Sequence, residues 1–225
     1  MTFESIRPVR LATAPERIAD QIRQSITDGT LPAGTQLTET QLAERLEVSR
    51  GPVREAMQRL IQEGLLRAER HRGVFVTQLT TADIDDIYIA RAAIERSAVL
   101  ALMERHDPLV LDRLEAIVDA LEAGVRAREW ATVLDADLRF HEEIVAAAQS
   151  KRLTRMFRTL SAETRMSITG LKRDLPDWEH MVAEHRTLLA AFRRGARDEV
   201  LETVDEHLQG AMRWVSADEP EQEAV

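Results

Sequence analysis

Between Leu31 and Val76 the chain reads LPAGTQLTETQLAERLEVSRGPVREAMQRLIQEGLLRAERHRGVFV, two short capped helices joined by a tight turn and followed by a hairpin containing glycine. That order of signals confines the segment to a winged helix-turn-helix. Thr38 can cap the first helix, and Gln41, at its third position, can reach back to it in a capping box. Leu42, Ala43 and Leu46 then make an apolar face. Beyond the Glu47-Val48 turn, Ser49 is a second N-cap candidate, and Pro52 falls in the first helical turn, where its missing N–H is tolerated.

The second helix starts near Arg50. Val53, Ala56, Met57 and Leu60 form its inward stripe and leave Arg50 and Arg54 together on the other face, at i and i+4. A helix docked this way presents its first residues to base edges, where arginine pairs bidentately with guanine and the helix N-terminus attracts phosphate. Gly64 can end it in the left-handed conformation, with short strands expected at Leu65 to Arg70 and Gly73 to Thr77. The tip of that wing carries Arg70, His71 and Arg72, which could meet DNA backbone or minor groove. An arginine pair alone describes a solvated face. Cap, turn, second cap and wing together describe a DNA reader.

A net charge of −9 fits a DNA binder poorly until it is divided. Residues 1–79 hold 11 arginines against 10 acidic residues, and the remainder holds 19 basic against 29 acidic ones. The acidity belongs to the second part, and the near-neutral first part implies a small footprint, doubled by dimerisation, with arginines placed locally. With no cysteine, disulfides and thiolate metal sites are excluded. The longest apolar run is only Ala98 to Met103 and MTFESIRPVR is no signal peptide, so a cytoplasmic protein without a membrane span is expected.

After Thr77 the pattern is helical throughout, with helices expected at 82–105, 108–127, 130–148, 151–170, 176–194 and 197–215. The fold class is therefore mainly α: a winged helix-turn-helix domain over 1–78, an antiparallel six-helix bundle over 79–216, and an acidic tail over 217–225 expected to be disordered. A short hinge at 78–81 joins the two domains.

Polar residues interrupt the apolar stripes of this bundle. Asp137 and His141 lie one turn apart in the stripe made by Val133, Leu134, Phe140, Ile144 and Val145, while His185 and His207 sit at the centres of theirs. Ala196 is the turn between the last two helices, eleven residues after His185 and eleven before His207. At about 1.5 Å per residue the two histidines stand at one level, about 16 Å from the turn. A buried carboxylate needs a partner, and imidazoles beside it suit a divalent transition metal, zinc first and manganese, nickel or iron next. Arg91 and Glu95 also fall inside a stripe, either as an ion pair buttressing the bundle or with Arg91 as the fork for a ligand carboxylate. Arg165 is a second candidate for that ligand. His71, His106 and His180 are expected in solvated or capping roles.

These segments resemble the GntR superfamily of bacterial transcription regulators. The resemblance rests on Asp28-Gly29-Thr30-Leu31-Pro32-Ala33-Gly34, Thr38-Glu39, Leu42-Ala43, Val48-Ser49-Arg50-Gly51-Pro52-Val53-Arg54-Glu55-Ala56, Gly64-Leu65 and Arg72-Gly73. It implies DNA contacts by Thr38, Thr40, Ser49, Arg50, Arg54, Arg72 and Gly73, although Thr40 stands where relatives often carry arginine, so a different base preference is expected. The second part resembles the FCD ligand-binding domain, with Asp137, His141, His185 and His207 at its metal positions. Six helices make it similar to the VanR-like branch of the FadR-type regulators. The resemblance implies a homodimeric repressor that binds a palindromic operator and is controlled by a small organic acid beside the metal. A metal-dependent hydrolase, or a DNA-binding scaffold with a purely structural metal, remains open on the residues alone.

Overall fold

The computed structural model describes residues 12–105, 107–169 and 178–216, which divide into two compact units at the Gln78–Leu79 boundary. In the first unit α1 (Ala14–Thr27) is opened by a complete capping box in which Thr13 and Glu16 bond each other's backbone N–H. It buries Ile18, Ala19, Ile22 and Ile26, and Arg23 reaches Glu63 at the far end of α3 with a forked pair at 2.7–3.0 Å. α2 (Glu39–Leu46) and α3 (Arg50–Gln62) are separated by Glu47 in the left-handed conformation, φ 54°. The predicted inward stripe of α3 is buried as expected.

Gly64 adopts φ 76°, and the chain then forms β2 (Leu66–Glu69) and β3 (Gly73–Val76) around a tip where His71 has φ 64°. The sheet has a third strand that the sequence reading did not contain. β1 (Gln36–Leu37) pairs antiparallel with the other edge of β3, Gln36 opposite Phe75 and Leu37 opposite Val74, so the order is β1-β3-β2. Two residues are too few to show alternation, which is why this strand escapes a periodicity argument.

The second unit contains α4 (Thr81–Arg105), α5 (Pro108–Ala127), α6 (Trp130–Ala147), α7 (Lys151–Thr169), α8 (Trp178–Arg194) and α9 (Arg197–Ser216). Among the described residues the expected helices recur, and the ends that can be compared lie within a residue of those expected. The expected Asp174-Leu175-Pro176 break, His106 and the 217–225 tail lie outside the described residues. α4 packs against α6, α7 and α9, and α5 against α6 and α8, which encloses one apolar core from Ile84 to Val215. At Gly124 α5 lies close against α6, where an added Cβ would stand 3.1 Å from Val133 Cγ2. The acidic surplus is used across helices: Arg186 of α8 reaches Asp119 and Glu122 of α5, both at 2.7 Å, and Arg193 reaches Glu115 at 2.5 Å. No helix among the described residues is long and apolar enough to cross a membrane.

Candidate functional site

The bundle brings together the four residues that its stripes singled out. Asp137 and His141 project from α6, and the α8–α9 hairpin places the His185 and His207 rings 4.7 Å apart, centroid to centroid. One ligand atom from each of the four lies within 4.8 Å of the others. The histidines are buried and the Asp137 side chain is 13% exposed. Phe140 packs against the His185 ring at 4.8 Å, edge to face.

Each imidazole is aimed by an acceptor on its outer nitrogen. His141 Nδ1 lies 2.6 Å from Glu95 Oε2 on α4, His185 Nδ1 lies 2.8 Å from the Met181 carbonyl, and His207 Nδ1 lies 3.2 Å from Glu184 Oε2. A proton held on Nδ1 leaves the Nε2 lone pair to point inward. The Nε2 atoms of His141 and His207 face each other at 3.2 Å, a repulsive arrangement of lone pairs unless a proton or a cation lies between them. His185 Nε2 is buried without a directed hydrogen bond, 3.3 Å from Asp137 Oδ1. Three imidazole nitrogens and a carboxylate oxygen converging in this way fit a divalent transition metal with coordination positions to spare.

The electrostatics agree. Burial would raise Asp137, but the contact with His185 and the neighbouring imidazole charges hold it well below the usual carboxylate range. Burial drives His207 down to about 4, because Glu184 offsets it only in part. For His185 burial is outweighed by Asp137 and the net shift is upward.

Glu95 links this centre to Arg91. The Arg91 side chain is 2% exposed, its Nε donates to Glu95 Oε1 at 3.0 Å, and its guanidinium stands 5.0 Å above the Tyr88 ring. The ion-pair reading is therefore met, yet one buried nitrogen, Nη2, has no hydrogen-bond partner. Burial would raise Glu95, and the charges of His141 and Arg91 instead hold it down to about 2.

Arg165 pairs through one terminal nitrogen with Asp135, whose side chain is 61% exposed. His180, expected in a solvated or capping role, is 68% exposed and lies 3.2 Å from Glu184, the carboxylate that also aims His207. Sequence reasoning missed Glu184 and the Met181 carbonyl. The signal for Glu184 was its place beside His185, one residue off the inward stripe.

In the first unit Thr38 accepts from the Gln41 N–H at 3.2 Å, but the Gln41 side chain accepts from the Thr38 hydroxyl, not from its backbone. The capping box is thus only half formed. Ser49 has cap-like backbone angles and no side-chain cap bond, because Pro52 at the third helical position offers no N–H. Ser49, Thr40 and Arg50 line one cleft between α2 and α3. Arg54 is forked onto Glu39, Nε to Oε1 at 2.7 Å and Nη2 to Oε2 at 2.8 Å. Arg72 pairs with Glu69 at 2.5 Å and lies 5.4 Å over the Phe75 ring, while its carbonyl accepts from Gln36. Gly73 has φ 111°, and a Cβ there would stand 3.0 Å from Gln36 Nε2.

Comparison with known proteins agrees with both halves. Residues 14–76 match the family described as bacterial regulatory proteins, gntR family, and residues 86–210 match the FCD domain. The chain is 28% identical over 216 residues to the gluconate operon transcriptional repressor of Bacillus licheniformis, covering 91% of this chain and 88% of that protein. It is 34% identical over 135 residues to the HTH-type transcriptional regulator YdhC of Bacillus subtilis, a match that spans 60% of each. Among solved structures, a GntR transcriptional regulator from Rhodococcus sp. RHA1 superposes with a TM-score of 0.80 at 27% identity, covering 92% of this chain and 99% of that one. These are transcription regulators, which removes the hydrolase reading. Capped helices, wing and buried polar cluster thus meet in one assignment: the chain belongs to the gntR family of bacterial transcription regulators and carries an FCD domain.

Proposed function

We propose that the protein is a repressor whose operator binding is relieved by a small organic acid held beside a divalent metal in the FCD domain. The observation that carries this reading is the convergence of Asp137, His141, His185 and His207 within 4.8 Å, with the unpaired Arg91 Nη2 on the same buried chain through Glu95. When bound, a divalent ion supplies open coordination positions for the oxygens of the acid, with zinc the first choice and manganese, nickel or iron suited to the same donors. Arg91 gives the acid a cationic partner, because its Nε is engaged by Glu95 while Nη2 is free to donate. Glu95 bonds Arg91 and His141 at once, so a carboxylate drawn to Arg91 acts on the residue that aims a metal ligand. One relative is named for a gluconate operon, and gluconate is a small hydroxy acid of this class.

On the output side, Arg50 and Arg54 contact base edges of a palindromic operator, with Thr38, Thr40, Ser49, Arg72 and Gly73 around them. A homodimer reads two half-sites about 34–36 Å apart along the duplex. Such a regulator works in the cytoplasm.

Zinc titration against a competing chelator tests the centre. Full retention of metal by His207→Ala or His185→Ala overturns the site. A thermal-shift screen of small carboxylates on the zinc-loaded protein tests the effector, since a ligand that binds only the folded state raises the melting temperature. No shift with any acid would leave a purely structural metal. Arg50→Ala and Arg54→Ala should each weaken operator retention in a gel with the bundle still folded.

A further inference from the structure

Arg54 meets DNA, on the reading above, as part of a couple. Its partner Glu39 is the first residue of α2, placed by the Thr38 cap, and the two side chains meet fork to fork at 2.7 and 2.8 Å across the helix-turn-helix. A guanidinium has five N–H donors: one on Nε and two on each Nη. Glu39 occupies the Nε–H and one Nη2–H, which leaves the terminal edge free, with the other Nη2–H and the parallel Nη1–H on it. That edge carries two donors side by side. Guanine presents O6 and N7 side by side in the major groove, a pair of acceptors of the same pitch.

We infer that Glu39 is a specificity-determining residue, which locks Arg54 with one edge of its guanidinium so that the terminal edge reads a guanine. An unrestrained arginine at this exposed position would bend toward the nearest phosphate or toward either neighbouring base. The Arg54 side chain is 62% exposed and Glu39 32% exposed, so the couple is open to a duplex and is not a core contact. Glu39 itself adds negative charge where phosphates approach. It therefore lowers affinity for DNA in general and raises discrimination for one base.

Those two effects have opposite signs, and an ordinary folding contact would not produce them together. The experiment uses the full-length protein and a pool of randomised DNA duplexes, from which the wild type, Glu39→Gln and Arg54→Ala each select binding sites. Affinity for an unselected duplex is measured beside it, and thermal unfolding verifies that each variant is folded. The wild type should enrich a guanine at one position of each half-site by about 10-fold or more, as expected of a bidentate arginine–guanine contact. Arg54→Ala should erase that preference. Glu39→Gln should weaken it at the same position to about 3-fold or less while binding unselected DNA more tightly than the wild type, because one phosphate-repelling charge is gone.

If the wild type selects no motif, the DNA-reading function itself fails. Should the wild type select a motif and Glu39→Gln keep the full preference at the Arg54 position, the coupling is wrong although the function stands. A loss of preference at a different base also overturns it, because Glu39 would then read cytosine N4 directly. Weaker binding by Glu39→Gln to both selected and unselected DNA would reduce Glu39 to a structural contact, which likewise overturns the inference.

Discussion

The same chemical pair occurs in both halves of the molecule and does different work in each. Arg54 and Glu39 meet on the surface of the DNA-binding unit, with side chains 62% and 32% exposed. Arg91 and Glu95 meet inside the bundle, with side chains 2% and 1% exposed. In water the attraction is screened and the entropy of holding two long side chains nearly cancels it, so an exposed pair is worth about 0–1 kcal/mol. Its use is direction. In the interior neither member can be left alone, because an isolated charge there costs several kcal/mol, so the pair constrains every neighbour that could share its charge. Glu95 shares it with His141, and the ion pair thereby becomes part of the site.

Breaking each pair tests that contrast. Arg91→Met strands Glu95 with a single partner and should destabilise the bundle by about 3–5 kcal/mol. All three tryptophans, Trp130, Trp178 and Trp214, lie in the bundle, so denaturant unfolding followed by their fluorescence reports on it alone. Arg54→Ala should leave that transition unchanged and barely move the far-ultraviolet melt of the first unit. Equal effects would dissolve the distinction.

Glu95→Gln keeps the shape of the residue and removes the charge behind His141. It should weaken zinc binding by about 10–100-fold, the usual range for an outer partner of a metal-binding histidine, as read by chelator competition. A change below twofold would detach Glu95 from the centre. Thr38→Ala should cost the first unit about 1 kcal/mol, the value of a working cap, whereas Ser49→Ala should be nearly neutral because Ser49 makes no cap bond. Ser49→Ala should still weaken operator binding if its free hydroxyl faces DNA.

The smallest expected effect concerns Glu163. Burial, followed by the charges of Asp83 and Asp86, raises its carboxyl above the ordinary value. A raised carboxyl means that the folded state binds the proton more tightly than the unfolded chain. Its contribution is therefore full below the unfolded value near 4.5 and is lost as pH rises through the folded value. Glu163→Gln should raise the melting temperature slightly at pH 7 and leave it unchanged at pH 3.5. An increase of equal size at both values would rule out titration as the cause.

The two halves also differ in how legible they were. Long helices carry enough turns to reveal a stripe, so Asp137, His141, His185 and His207 stood out as polar residues where apolar ones belong. The same logic found Arg91 and Glu95. Cap signals located α2 and α3, although Pro52 defeats the bond expected of Ser49 and a two-residue strand leaves no period to read. Partners of long side chains were the least legible. Arg165 turns to Asp135, Arg54 to Glu39 and Glu184 to His207 through several rotatable bonds across different helices, and one-dimensional spacing does not encode those torsions.

The outer hydrogen bonds of the three imidazoles bear on how the centre could be moved to another protein. Glu95 comes from α4, His141 from α6, Met181, Glu184 and His185 from α8, and His207 from α9. Copying the four inward residues onto a foreign helix pair would carry the donors without their aim. A portable version needs four helices and, beside those donors, two carboxylates and a backbone carbonyl. The smallest transferable unit of this site is thus most of the bundle that contains it.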